Sequence, residues 1–208
     1  MPSTITVYTA KELKEDFPEG FERAHQEFAE GEAEFCPWQE EIVGSLKKTF
    51  EFAGLNLTNW SLGAYGNSWV KFTMPTYWSE LADCEILVEE YTGQRAMNWL
   101  KDAFGIKSAK LVHYKNHLGK PAKRYDFKEK SGEPWDCPMT GMCFDYDFVE
   151  SLFMDVHNGQ NLEDAFRGLA GKCETMLEAE LTYSQSEENF LEMASANNWE
   201  YTEDGKMI

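Results

Sequence analysis

Hydrophobic residues recur along this chain at two different periods, and the places where one gives way to the other restrict it to a mixed fold. Phe21, Ala24 and Phe28 stand three and four apart behind Pro18, and Trp38, Ile42, Val43, Leu46 and Phe50 do the same behind Pro37. Helices are expected over 18 to about 31 and 37 to about 53, each opened by a proline whose missing N–H is not needed at a first helical position. At Leu57 the spacing becomes that of a strand: Leu57 to Tyr65 and Trp69 to Met74 flank Gly66-Asn67-Ser68, the pattern of a hairpin closed by a tight turn. Thr92 to Phe104 returns to helical spacing and ends at Gly105, after which Ala109 to His113 reads as a strand. The run Glu80 to Tyr91 fits either type.

The two ends complete the pattern. Thr4 to Thr9 alternates as a strand would, and Thr9 with Glu12 three residues later is a capping box for a helix from Ala10. Asp145 to His157, Asn161 to about Leu181 and Ser184 to Asn197 read as three helices, each with an Asp, Asn or Ser start, and Trp199 to Thr202 as a last strand. Lys115 to Met142 is interrupted by Gly119, Pro121, Gly132, Pro134, Pro138 and Gly141, which predicts an irregular basic segment at about 107–142. No linker rich in Pro, Gly or Ser and no internal repeat divides the chain. The expected fold class is α+β: a single acidic domain over 1–208 with a small antiparallel sheet and about six helices.

Charge is the next constraint. Nineteen basic side chains stand against 37 acidic ones, a formal net of −18. Eight of the bases (Lys107, Lys110, Lys115, Lys120, Lys123, Arg124, Lys128 and Lys130) fall in 24 residues and are opposed there only by Asp126 and Glu129, so this segment is +6 and the rest −24. A field of that sign repels nucleic acid and anionic membrane and attracts basic partners, so direct nucleic-acid binding is not expected. Tyr114, Tyr125 and Phe127 interleave with the cations as in base-stacking surfaces. Against the surrounding acidic field, the segment is expected to fold back on the chain's own acids or dock an acidic partner.

The five cysteines (Cys36, Cys84, Cys137, Cys143, Cys173) are odd in number and scattered, as in a reducing compartment. Met1 to Tyr8 has neither a basic region nor an apolar run, and no stretch approaches 18 apolar residues, so no export signal and no membrane span are expected. His113, His117, Cys137 and Cys143 offer two nitrogens and two sulfurs for zinc, but five residues separate the cysteines where structural sites use two to four. Cys143 near Asp145 and Asp147 has the elements of an activated thiol, yet Asp145 is explained more simply as an acid at a helix start. Phosphate loops, nucleophile elbows and helical metalloprotease motifs are missing from the sequence. The expectation is a protein that is not an enzyme and uses no cofactor or metal, with a small enzyme or zinc protein centred on the four His and Cys residues as the alternative.

The acids themselves are the candidate site. Glu15, Asp16, Glu19, Glu22, Glu27, Glu30, Glu32 and Glu34 put eight carboxylates into 20 residues, and Glu174, Glu178, Glu187, Glu188 and Glu192 add two further helical groups. Such rows are either an ordinary solvated face or a surface that imitates the phosphates of a nucleic acid and engages a basic groove.

Thr6 to Arg23, Trp60 to Tyr65, Thr92 to Ala96, Thr140 to Cys143 and Asn198 to Gly205 form a set of stretches spread over nearly the whole chain. Taken together they resemble a family of small accessory proteins of tailed bacteriophages and prophages, some of them labelled antitoxin-like. The resemblance implies a setting in the bacterial host cytoplasm, where nucleases and toxins are common targets, and assigns no catalytic or ligand residue. The expected activity is inhibition of a host protein with a basic surface, such as a nucleic-acid-binding defence effector or toxin, through the acidic helices. A homo-oligomer is compatible with this reading.

Overall fold

Thr9 begins the first helix as the sequence predicts. Its hydroxyl accepts from the Glu12 N–H, and its own N–H donates to the Glu12 carboxylate at 2.8 Å. This capping box belongs to a computed structural model that describes residues 6–34, 37–64, 66–73, 91–135 and 139–208. Among the described residues the fold is α+β, with seven helices and three antiparallel two-stranded pairs in place of one small sheet. The chain divides into two compact units, residues 1–38 with 177–208 and residues 39–176.

The first unit joins the two ends of the chain. It contains β1 (Tyr8–Thr9), α1 (Ala10–Asp16), α2 (Pro18–Glu34), the last turns of α6 (Leu162–Ser184), α7 (Glu187–Ala196) and β6 (Glu200–Tyr201). β1 and β6 pair antiparallel, Tyr8 opposite Tyr201. Their core gathers Leu13, Phe21, Ala24, Phe190, Ala194 and Tyr201, with Phe190 at ring distances of 5.5 Å from Phe21 and 5.3 Å from Phe28. The turn after β6 lies directly on the α2 backbone: a Cβ added to Gly20 would overlap the Glu203 carbonyl oxygen, and one on Gly205 (φ 84°) would overlap the Gly20 carbonyl. Thus Thr6 to Arg23 and Asn198 to Gly205, two of the stretches that carry the family resemblance, build one packing joint.

The second unit holds most of α3 (Pro37–Phe52), β2 (Asn56–Ser61), β3 (Trp69–Thr73), α4 (Gly93–Ala103), β4 (Ile106–Lys115), β5 (Pro121–Glu129), α5 (Phe144–His157) and the greater part of α6. Phe50, Leu100, Phe148, Leu152, Phe153 and Phe166 are fully buried in it. The hairpin of β2 and β3 matches its expected place, with a bulge between Leu57 and Asn59. Two helix starts differ from expectation, Thr92 preceding α4 without a side-chain cap bond and Ser186 capping α7, while Asp145 lies in the first turn of α5 as an acid at a helix start should. The ambiguous run at 80–91 lies, up to residue 90, outside the described residues, as do Cys36, Cys84 and Cys137.

The largest correction concerns the segment expected to be irregular at about 107–142. Residues 106–129 form a long antiparallel ribbon, β4 against β5, from Ile106 opposite Glu129 to Lys115 opposite Pro121. Pro121 does not break it, because a proline at the first residue of a strand withholds no required ladder hydrogen bond. Gly119 (φ 73°) supplies the turn. The alternation of Tyr125 and Phe127 with Arg124, Asp126 and Lys128 is a strand period carried mostly by charges.

Candidate functional site

Burial of Phe21, Ala24 and Phe28 on one side of α2 forces the intervening residues outward. Glu19, Glu22, Glu27 and Glu30 are exposed, as are Glu15 and Asp16 at the end of α1 and Glu187, Glu188 and Glu192 on α7. Glu178 is exposed on the part of α6 that belongs to the same unit. That unit contains 17 acidic side chains and four basic ones (Lys11, Lys14, Arg23, Lys206), so 70 residues carry −13 of the −18 net charge. The second unit carries the remaining −5, because it contains the basic run 107–130 among its own acids.

The placement of the candidate acids on the helices is mixed. Glu19, Glu187 and Glu188 stand in first turns, where the dipole favours a carboxylate, whereas Asp16 ends α1 and Glu32 lies in the last turn of α2, which holds no base, and carboxylates there oppose the helix dipole by about 0.3–1 kcal/mol each. Partners are few. Glu187 meets Lys14 at 2.5 Å, Glu30 accepts from Gln26, and Glu192 accepts from the Tyr183 hydroxyl at 3.2 Å. The exposed Tyr183 phenol is itself shifted upward, first by that hydrogen bond and then by the charges of Glu192, Glu188 and Glu180. Arg23, the one base inside α2, donates to the Glu19 backbone carbonyl instead of to a carboxylate. Beside this surface lies an apolar cleft of about 190 Å³ lined by Ala24, Phe28, Trp199, Tyr201 and Met207, with Glu27 at its rim.

Glu174 does not join the group. It belongs to the second unit, is half-buried and accepts from the Ser68 N–H at 3.3 Å, so it fastens the turn between β2 and β3. Among the described residues, the alternative metal or thiol centre is not assembled either. His113 is exposed on β4 opposite Lys123, His117 is exposed in the ribbon turn, and Cys137 lies outside the described residues. Among the described residues, no three His, Cys, Asp or Glu side chains are placed to hold a metal ion. Asp145 is committed elsewhere: fully buried, it accepts from the Met139 N–H, the Thr140 N–H at 2.6 Å and the Thr140 hydroxyl at 2.8 Å. The Thr140 to Cys143 signature is thus a structural turn.

Sequence reasoning missed how the ribbon is anchored. Glu150 of α5 accepts from the Tyr125 N–H at 2.7 Å and the Tyr146 hydroxyl donates to the Tyr125 carbonyl, which satisfies part of the outer edge of β5. Tyr125 and Phe127 pack on Phe153 at 5.5 and 4.9 Å. Burial is the first cause that pushes the Glu150 and Asp147 carboxyls above the ordinary range. A raised acid pKa in the fold favours the protonated form, so this stability is complete below the free-chain value near 4.5 and fades as pH rises through the raised value. Glu150→Gln keeps an acceptor for Tyr125 and removes that titration. Relative to the parent it is expected to gain stability as pH rises from about 4.5 to 7, read by urea unfolding; a constant difference across that range would contradict it.

No family model, curated protein or solved structure matches this chain.

Proposed function

We propose that this chain is a non-enzymatic accessory protein of a bacteriophage or prophage that binds and inhibits a host cytoplasmic protein through its acidic unit. A nucleic-acid-binding defence effector or toxin is the class of partner whose basic groove complements that surface. The observation that carries the reading is the concentration of −13 on the unit built from the chain ends, with most of the candidate carboxylates exposed on its helices. The phage setting rests on the resemblance of the five sequence stretches named above. The apolar cleft at Phe28, Trp199 and Met207 adds a place for one apolar anchor inside a charged rim, the usual anatomy of a protein interface.

The test is made helix by helix. One variant carries Glu19→Lys, Glu22→Lys and Glu30→Lys on α2; the other carries Glu188→Lys and Glu192→Lys on α7. Glu187 is left intact because it pairs with Lys14. The parent is expected to retain one host protein on an affinity column at moderate salt, and at least one reversal set is expected to lose it while keeping the parent's circular dichroism and melting. Retention of the same protein by both sets would overturn the proposal.

A further inference from the structure

The ribbon β4–β5 has two halves that differ in kind. Its base is held by α5 through Tyr125 and Phe127, whereas from Val112 to Arg124 no residue is buried. That distal stretch contains Lys115, Lys120, Lys123 and Arg124 and no acidic residue. Tyr114 is 43% and Leu118 65% exposed. Four residues of strand beyond Leu111 carry the tip about 13 Å past the ribbon's base, farther than the screening length of about 8 Å at physiological salt. At Lys115 and Lys120 the tip therefore presents a local positive field that the acids at the base no longer cancel, while Lys123 and Arg124 stand nearer the base. Nor does the ribbon fold back on the chain's own acids as the sequence suggested: among the described residues, its recorded ion pair is Arg124 with Asp126 on the same strand.

We infer that this arm is a docking element for the phosphate backbone of duplex DNA, with the ribbon lying in the major groove. The inference stands apart from the proposed role of the acidic unit and revises the expectation drawn from net charge. Three features support it. A two-stranded ribbon fits the width of the B-form major groove. Cations occupy both faces, Lys115 and Lys123 on the side of Tyr125 and Arg124 on the opposite side, where a phosphate would replace its solvent-exposed pairing with Asp126. The turn at the tip is also fixed, because the Asn116 side-chain oxygen accepts from the N–H groups of Leu118 and Lys120 and is not free to read a base edge. Contact through the cations to phosphate is expected to dominate over base reading.

The experiment is fluorescence anisotropy with a labelled 30-base-pair DNA duplex of arbitrary sequence, a scrambled duplex and an RNA duplex of equal length. Four phosphate contacts give a slope of log K against log salt of about −3.6, so affinity for either DNA falls about 50-fold between 50 and 150 mM salt. Lys115→Ala, Lys120→Ala, Lys123→Ala and Arg124→Ala combined should weaken binding at least tenfold at 50 mM and flatten the slope. RNA should bind more weakly, because its deep major groove is too narrow for a ribbon. If the combined variant fails to fold, Lys115→Gln and Lys123→Gln singly should each reduce the slope by about 0.9. No saturable DNA binding at 50 mM salt, variants equal to the parent, or RNA bound as well as DNA would each overturn the inference. Arm-dependent self-association in sedimentation without DNA binding would also overturn it, and assign the arm to the acidic surface of a second copy.

Discussion

Gly205→Ala is expected to destabilise the protein by about 3–5 kcal/mol, and Gly20→Ala by about 2–4 kcal/mol. The two glycines face each other where the turn after β6 meets the first turn of α2, and a methyl group on either would enter a backbone carbonyl of the other segment. Backbone cannot rotate away as a flexible side chain does, so the joint must open. Gly205 carries a second penalty, since its φ of 84° lies in the left-handed region that a β-carbon disfavours. The internal control is Gly31→Ala, which sits in the same helix with nothing near its added carbon. It should stabilise by about 0.5–1 kcal/mol, because alanine is the better helix former. Urea unfolding of the three variants decides the matter: equal midpoints for Gly205→Ala and Gly31→Ala would show that the joint is not formed.

The second large effect is expected at Asp145. Its buried carboxylate collects three donors from Met139 and Thr140, while the Thr140 hydroxyl also lies 3.1 Å from that of Ser45 on α3. Asp145→Ala removes the shared acceptor and leaves those donors to find partners in a turn only partly open to water. Charge-assisted hydrogen bonds contribute about 1.5–3 kcal/mol each, reduced here by solvent access to the turn, so a total near 3 kcal/mol is expected. That corresponds to a fall in melting temperature of about 6–12 °C for a chain of this size. Asp145→Asn retains one acceptor oxygen and should lose less than half as much. A melting temperature unchanged in Asp145→Ala would remove the turn from the account of the fold.

The helices were legible because each prints its own period and punctuation: Thr9 with Glu12, Pro18, Pro37 and Gly105 mark boundaries that the structure keeps within a few residues. The ribbon was not legible as a whole, because Lys and Arg occupy strand positions that hydrophobic alternation would normally reveal, and Gly119 and Pro121 read as breaks when they are the turn and first residue of a strand. The anchoring of Tyr125 by Glu150 and Tyr146 joins residues about 20 apart in a way no local pattern encodes. Of the acidic positions, those on α1, α2 and α7 were readable from helical spacing. Glu174 and Glu178 share α6 as their spacing implied, but the bond of Glu174 to Ser68 depends on tertiary contact that no local pattern encodes. What sequence could not show is that the two chain ends form one unit, and with it the concentration there of most of the net negative charge.

The central claim, that the acidic unit is the binding surface, is tested most directly by measuring affinity for the captured host protein at 50 and 200 mM salt, parent beside the α2 and α7 reversal sets. Binding at least tenfold weaker in at least one set is expected at low salt, equivalent to about 1.4 kcal/mol, with a parent affinity that falls with salt while that of the weakened variant changes little. Equal affinities at both salt concentrations, with the fold intact, would contradict it and leave the acids as a solvated face.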